Sequence, residues 1–130
     1  MKKFIFSVLT VFFLLCIMDF VINKIILDPI YNQMSSILVM DTGAKIFLIY
    51  LANIVHAIAL VTIYNMFAKK TVKTGLLFGI LYGLSYGFGF GFGFYAVMPT
   101  ALSIIVAWII SAFMEISLVG LIIGYMNKEK

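Results

Sequence analysis

The chain has 130 residues, of which 65% are hydrophobic and only 11% are charged, and its formal net charge is +4. Soluble domains are about half apolar and about a quarter charged, so this composition excludes an ordinary water-soluble globule. A lipid bilayer is the solvent that fits, and the length indicates one domain, residues 1–130. The basic charge, all of it lysine, is expected to set membrane topology and not to bind nucleic acid.

The first apolar segment, 4–27, follows Lys2 and Lys3 and therefore resembles a signal peptide. Its apolar run is too long for one, and no small-residue cleavage site follows, so we expect a retained transmembrane helix. Asp28 and Pro29 end it. The next stretch, PIYNQMSSILVM, predicts a short amphipathic helix on the membrane surface, with a plain loop as the alternative. Its apolar face would comprise Ile30, Tyr31, Met34, Ile37 and Leu38.

Three further apolar segments follow, at about 44–67, 74–95 and 101–126. Asp41-Thr42-Gly43 forms a predicted turn before the first of them, and Met98-Pro99-Thr100, with Thr100 as a candidate N-cap, separates the last two. Each segment is longer than the ~20 residues that a helix needs to cross hydrocarbon. The sequence therefore predicts an all-α membrane protein, a bundle of four transmembrane helices.

The lysines are distributed unevenly between the two sides that four spans define. Two lie on one side, Lys24 and Lys45, and seven lie on the other, with both chain ends: Lys2, Lys3, Lys69, Lys70, Lys73, Lys128 and Lys130. Lysine and arginine are enriched on the cytoplasmic side of membrane proteins. We therefore expect both termini in the cytoplasm, with the protein in a bacterial cytoplasmic membrane.

Residues 82–95 read YGLSYGFGFGFGFY, which has the period of a strand. An isolated strand cannot satisfy its backbone in hydrocarbon, so a helix is predicted. Glycines then recur on one face, the small-xxx-small pattern of closely packed helices: Gly75, Gly79, Gly83, Gly87 and Gly91. Gly89 and Gly93 lie about 160° away, where a second subunit of a homo-oligomer could pack. Room for a flat or lipid-like ligand, or a helix break near Gly89, are the alternatives.

Three ionisable side chains fall inside the spans: Asp19, His56 and Glu115. Each has polar or aromatic neighbours at helical spacing, and the third span adds two tyrosines. Pointing these faces inward would form one polar centre, whose further members are Asn23, Asn53, Tyr82, Tyr86, Trp108 and Ser111.

This polar centre has two main interpretations. In the structural interpretation, these residues form interhelical hydrogen bonds that hold the bundle together. A site for protons or a small cation is the functional one, because intramembrane acids mark ion pathways and His56 titrates near neutral pH when unperturbed. A metal triad of Asp19, His56 and Glu115, or a haem bound by His56, lacks a supporting motif. No cofactor is expected, and no catalytic signature or phosphate loop favours an enzyme.

The layout resembles small bacterial four-helix membrane protein families of unknown function. The features that carry this resemblance are Asp19 late in the first span, a Pro-x-Tyr after it, a third span rich in glycine and tyrosine, and Trp108 in the fourth. It implies no activity. Small multidrug transporters share the four spans and a first-span acid, but their motif around that acid is absent here and the lysine bias departs from their dual topology.

These observations favour a small transport-like membrane protein, in which a buried polar centre handles protons or a small cationic solute. Two alternatives remain open. One is a structural protein that assembles through its glycine stripe, and the other is a protein that binds a lipid or cofactor, as an enzyme acting on a lipid would.

Overall fold

A computed structural model describes residues 1–31, 46–67 and 69–129. Within these ranges the chain is helical and contains no strand. The first helix continues through a π-helical stretch, Val21–Ile26, and a single turn of α-helix follows it. The helices are α1 (Lys2–Phe20), α2 (Asp28–Tyr31), α3 (Ile46–Asn65), α4 (Val72–Val97) and α5 (Leu102–Asn127).

Four of these helices are long and apolar enough to cross a membrane: Lys2–Ile26, Phe47–Asn65, Val72–Val97 and Leu102–Asn127. Each begins and ends within a few residues of the corresponding span expected from the sequence. The prediction of an all-helical chain with four candidate spans is therefore confirmed. Of the stretch predicted to form a surface helix, only residues 29–31 are described, within α2; the rest of that stretch and the predicted Asp41-Thr42-Gly43 turn lie outside the described residues.

The helix ends follow from proline geometry and capping. Pro29 lies in the first turn of α2, where its missing N–H costs nothing. Met98, which precedes Pro99, is extended at φ −126° and ψ 138°, and α4 ends just before it. Thr71 caps α4 by accepting a hydrogen bond from the Thr74 backbone at 3.0 Å. The predicted cap at Thr100 is wrong: Ala101 occupies the N-cap position of α5, one residue later.

The glycine-rich stretch is continuous helix, so no break occurs near Gly89. Helix α4 lies along α5 at close range, and α1 lies between α3 and α5. Helix α4 contacts α3 and the residues just after it through aromatic side chains: the ring centroid of Phe78 lies 6.4 Å from that of Tyr64 in α3 and 5.5 Å from that of Phe67, two residues beyond the end of α3. The four spans thus form a bundle whose α3–α4 seam is held by side chains.

Large apolar side chains cover the outside of the bundle. On α1, for example, Phe6, Phe13 and Phe20 recur every seven residues and are each at least 60% exposed. Such a surface suits hydrocarbon and not water. Inside, one apolar cluster fills the half of the bundle near the chain termini, around Val11, Leu60 and Val119. A second, smaller cluster at the opposite end contains Leu27 and Ile104.

Candidate functional site

A cavity of about 330 Å³ lies between the two apolar clusters. All four spans contribute to its wall. Of the nine residues that the sequence analysis assigned to a polar centre, eight line this cavity: Asp19, Asn23, Asn53, His56, Tyr86, Trp108, Ser111 and Glu115. The apolar part of the lining is Ile22, Leu27, Gly87, Phe90, Ala112 and Ile116. The fold therefore brings side chains separated by almost 100 positions to one place.

The Asp19 carboxylate is held in place from a neighbouring helix. The Asn53 side-chain nitrogen, on α3, donates a hydrogen bond to Asp19 Oδ2 at 2.7 Å. The same nitrogen lies 3.7 Å from the sulfur of Cys16, one turn before Asp19. Asn53 is only 9% exposed, so this contact is shielded from the surroundings and fixes the position of one carboxylate oxygen.

The backbone next to Asp19 departs from regular α-helix. The π-helical stretch Val21–Ile26 begins two residues later, and the Asn23 side chain donates a hydrogen bond to the Asp19 carbonyl oxygen at 2.9 Å. Stretches of π-helix inside α-helices are frequent at functional sites, because they displace side chains from the regular register. Here the stretch carries Asn23 and Ile22 into the cavity wall.

His56 lies one turn after Asn53 on α3 and also lines the cavity. Its ring packs against two tyrosines of α4, with centroid distances of 6.1 Å to Tyr82 and 5.7 Å to Tyr86. The Nε2 atom is buried and has no hydrogen-bond partner among the described residues. The imidazole is therefore positioned by aromatic packing.

Tyr82 is the one predicted member of the polar centre that does not line the cavity. It packs against the apolar cluster near the termini, with its ring centroid 5.8 Å from that of Phe78. Tyr82 contributes to the site indirectly, because its ring packs against the ring of His56.

Helix α5 supplies the second carboxyl group. Glu115, Ser111 and Trp108 lie on one face of α5 at spacings of four and three residues, and all three line the cavity. The lining contains two acids and one histidine but no lysine. When the acids are ionised, the interior of the cavity is negative.

An aromatic wall forms the side of the cavity between α4 and α5. The Tyr86 and Phe90 rings, one turn apart on α4, stack at 6.0 Å with an interplanar angle of 5°. Phe90 in turn lies 5.8 Å from the ring of Trp108. Tyr86 and Phe90 are 45% and 50% exposed, whereas the other lining residues are buried or half-buried. These two rings therefore stand at the rim of the cavity.

The five-glycine stripe faces α5 inside the same chain. All five glycines are buried, and a Cβ atom added at Gly79 or Gly83 would lie 2.5 Å from the Ile116 carbonyl oxygen or 3.1 Å from that of Ala112. Gly87 both packs on α5 and lines the cavity. Gly89 and Gly93 face away, and no heavy atom lies within 4 Å of a Cβ added at either one. The second stripe thus remains on the outer surface of α4.

The metal alternative is not formed among the described residues. No three histidine, cysteine or acidic side chains in ranges 1–31, 46–67 and 69–129 are placed so that they could hold a metal ion together. Asp19, His56 and Glu115 nevertheless line the same cavity.

Sequence reasoning missed a second polar contact at the end of the bundle where the termini lie. Asn127 donates a hydrogen bond to the Ser7 hydroxyl at 3.1 Å, and Ser7 is bonded to the Lys3 carbonyl oxygen at 2.8 Å. Both Ser7 and Asn127 are buried. The available signal was weak: each is a single polar residue near the end of an apolar span, 120 positions apart.

Comparisons with protein-family models, with curated proteins and with solved structures give no match to this chain. The geometry of the cavity is therefore the basis on which a function is assigned.

Proposed function

We propose that this protein binds a small cation, protons included, in the cavity between its four spans and moves it across the membrane. The observation that carries the proposal is that two carboxyl groups and a histidine, from three different helices, line one cavity that contains no lysine. Intramembrane ionisable residues typically mark substrate and proton pathways.

The cost of keeping two ionised carboxyl groups in hydrocarbon supports a site for a cation or a proton. An ionised carboxylate at the bilayer centre costs roughly 2.5–3.5 kcal/mol on insertion scales, so Asp19 and Glu115 would together cost up to about 5–7 kcal/mol if both were ionised and unpaired there. An interhelical hydrogen bond in a membrane contributes about 0.6 kcal/mol on average, so the bond from Asn53 to Asp19 offsets little of this. A cation bound next to ionised carboxylates would offset more of this cost through direct charge attraction. The neutral alternative, protonation of a carboxyl group, is itself proton binding at the same site.

Charge movement measured by solid-supported membrane electrophysiology tests the proposal directly. The protein is reconstituted in proteoliposomes and exposed to steps in pH and in monovalent cation concentration. We expect a transient current from the wild type that Glu115→Gln and Asp19→Asn abolish. Glu129→Gln is the matched control, because Glu129 lies outside the cavity and is 62% exposed. If the folded Glu115→Gln and Asp19→Asn variants gave wild-type currents, the cavity would have no role in the charge movement and the proposal would be wrong.

We also propose that both termini lie in the cytoplasm of a bacterial cell. The excess of lysine on one side supports this proposal: lysines lie near the chain ends, Lys69 and Lys70 lie in the loop between α3 and α4, and Lys73 lies in the first turn of α4. A fluorescent protein fused to the C-terminus is expected to fluoresce, and alkaline phosphatase fused there is expected to be inactive. The opposite pattern would reverse the orientation without changing the site.

A further inference from the structure

We infer that the cation which the cavity takes is an organic ammonium ion, and this inference rests on the proposed function. The cavity combines two features that a site for a bare inorganic ion does not need together. The carboxyl groups of Asp19 and Glu115 line the cavity, and so does a continuous aromatic wall, in which Tyr86 and Phe90 lie at the rim and the half-buried Trp108 lies next to Phe90.

Aromatic faces select among cations. Ring quadrupoles attract cations, and several rings around one position form the cages that bind quaternary ammonium groups. Small inorganic cations instead prefer to be surrounded by oxygen ligands. The lining has both parts: the carboxyl groups of Asp19 and Glu115, and the aromatic rings of Tyr86, Phe90 and Trp108. An ion with an apolar shell and a central positive charge matches both parts.

Size and access agree with this class of ligand. The cavity volume of about 330 Å³ is at the small end of the roughly 300–1,000 Å³ range of small-molecule sites. Choline and tetramethylammonium fit such a volume. The rim residues Tyr86 and Phe90 are the exposed part of the lining, so an entering ligand meets aromatic faces before it reaches the carboxyl groups. Weakly hydrated organic cations tolerate that route better than a strongly hydrated ion.

The chain contains its own reporter for the test. Trp108 is the single tryptophan, and it lies in the cavity wall. Its fluorescence therefore reports on occupancy without any transport assay. The wild type in nanodiscs is titrated with tetramethylammonium and with choline, and in parallel with 3,3-dimethylbutan-1-ol, the neutral isostere of choline. Sodium chloride at equal ionic strength controls for salt.

We expect a saturable change of Trp108 emission with both ammonium ions, and at least a tenfold weaker response to the neutral isostere. Tyr86→Leu should weaken choline binding about 2- to 30-fold, the range of one cation–π contact, whereas Tyr86→Phe should retain most of the affinity. Phe92→Leu is the matched control, since Phe92 is an exposed aromatic residue of α4 outside the cavity lining.

Two results would overturn the inference. One is an equal response to choline and to its neutral isostere, which would mean that the site recognises apolar shape and not charge. The other is the absence of any saturable response to ammonium ions while pH steps still produce currents that depend on Glu115. In that second case the proposed function stands with protons as the cargo, and only the substrate class is wrong. Loss of both signals would instead contradict the proposed function itself.

Discussion

The close approach of α4 and α5 yields a prediction that separates steric packing from helix propensity. A Cβ atom added at Gly79 would lie 2.5 Å from the Ile116 carbonyl oxygen and 3.0 Å from the Ser117 Cα atom. Both are backbone atoms, which no rotamer change can move. Gly79→Ala therefore forces the two helices apart, whereas Gly89→Ala, on the outer face of the same helix, meets no atom within 4 Å.

The magnitude follows from comparing the two variants. Carbon atoms pack best at about 3.5–4.0 Å, so the helices must separate locally by about 1 Å to accept Gly79→Ala. Overpacking of this kind costs typically about 1–3 kcal/mol. Replacing glycine by alanine inside a helix also contributes up to about 1 kcal/mol in favour of folding. Both positions lie in the interior of α4, so this contribution cancels in the comparison. Gly79→Ala should be less stable than Gly89→Ala by about 1–3 kcal/mol.

The assay is equilibrium unfolding in dodecyl maltoside micelles with increasing sodium dodecyl sulfate, followed by far-UV circular dichroism. The free energies of unfolding of the two alanine variants are compared with each other and with the wild type. If Gly79→Ala proved as stable as Gly89→Ala, α4 and α5 would not be in backbone contact at Gly79, and their close approach at this position would be refuted.

Three further predictions concern other parts of the bundle. Tyr64→Phe removes the hydroxyl that donates to the Thr71 carbonyl oxygen at 2.9 Å and should lower the free energy of unfolding by about 0.5–1.5 kcal/mol; an unchanged unfolding curve would argue against this bond. A double-mutant cycle between Ser7→Ala and Asn127→Ala, measured in the same way, should give a coupling energy of about 0.6 kcal/mol and below about 1.7 kcal/mol; zero coupling would mean that the two residues are not in contact. Gly89→Leu should leave folding intact, because no heavy atom lies within 4 Å of a Cβ added at this position. If native mass spectrometry shows a wild-type homo-oligomer that this variant dissociates, the result would favour the assembly alternative, with the outer face of α4 as the interface between subunits.

The site predictions met two different outcomes in the structure. Helical spacing grouped Asn53 with His56 and Ser111 with Glu115, because residues three or four apart share a helix face, and the structure places all four in the cavity lining. It also grouped Tyr82 with Tyr86: both rings pack against His56, but only Tyr86 lines the cavity, while Tyr82 also packs against Phe78. Residues on one face of a helix can contact different neighbours, and spacing alone does not show which neighbour each residue contacts.

The sequence by itself determined the helical character and the approximate ends of the spans. Hydrocarbon allows no unpaired backbone groups, so even the alternating Gly-Phe stretch had to be helical, and Pro29 and Pro99 mark interruptions whatever surrounds them. Only the tertiary structure decided which helices pack together and which side chains contact one another. The glycine periodicity describes a face of α4 but does not name α5 as the helix that packs on it. The bond between Asp19 and Asn53, and the wall that Phe90 forms with Trp108, depend on how far each helix is rotated and shifted against its neighbours. That arrangement arises from the packing of all four spans together, and no local pattern encodes it.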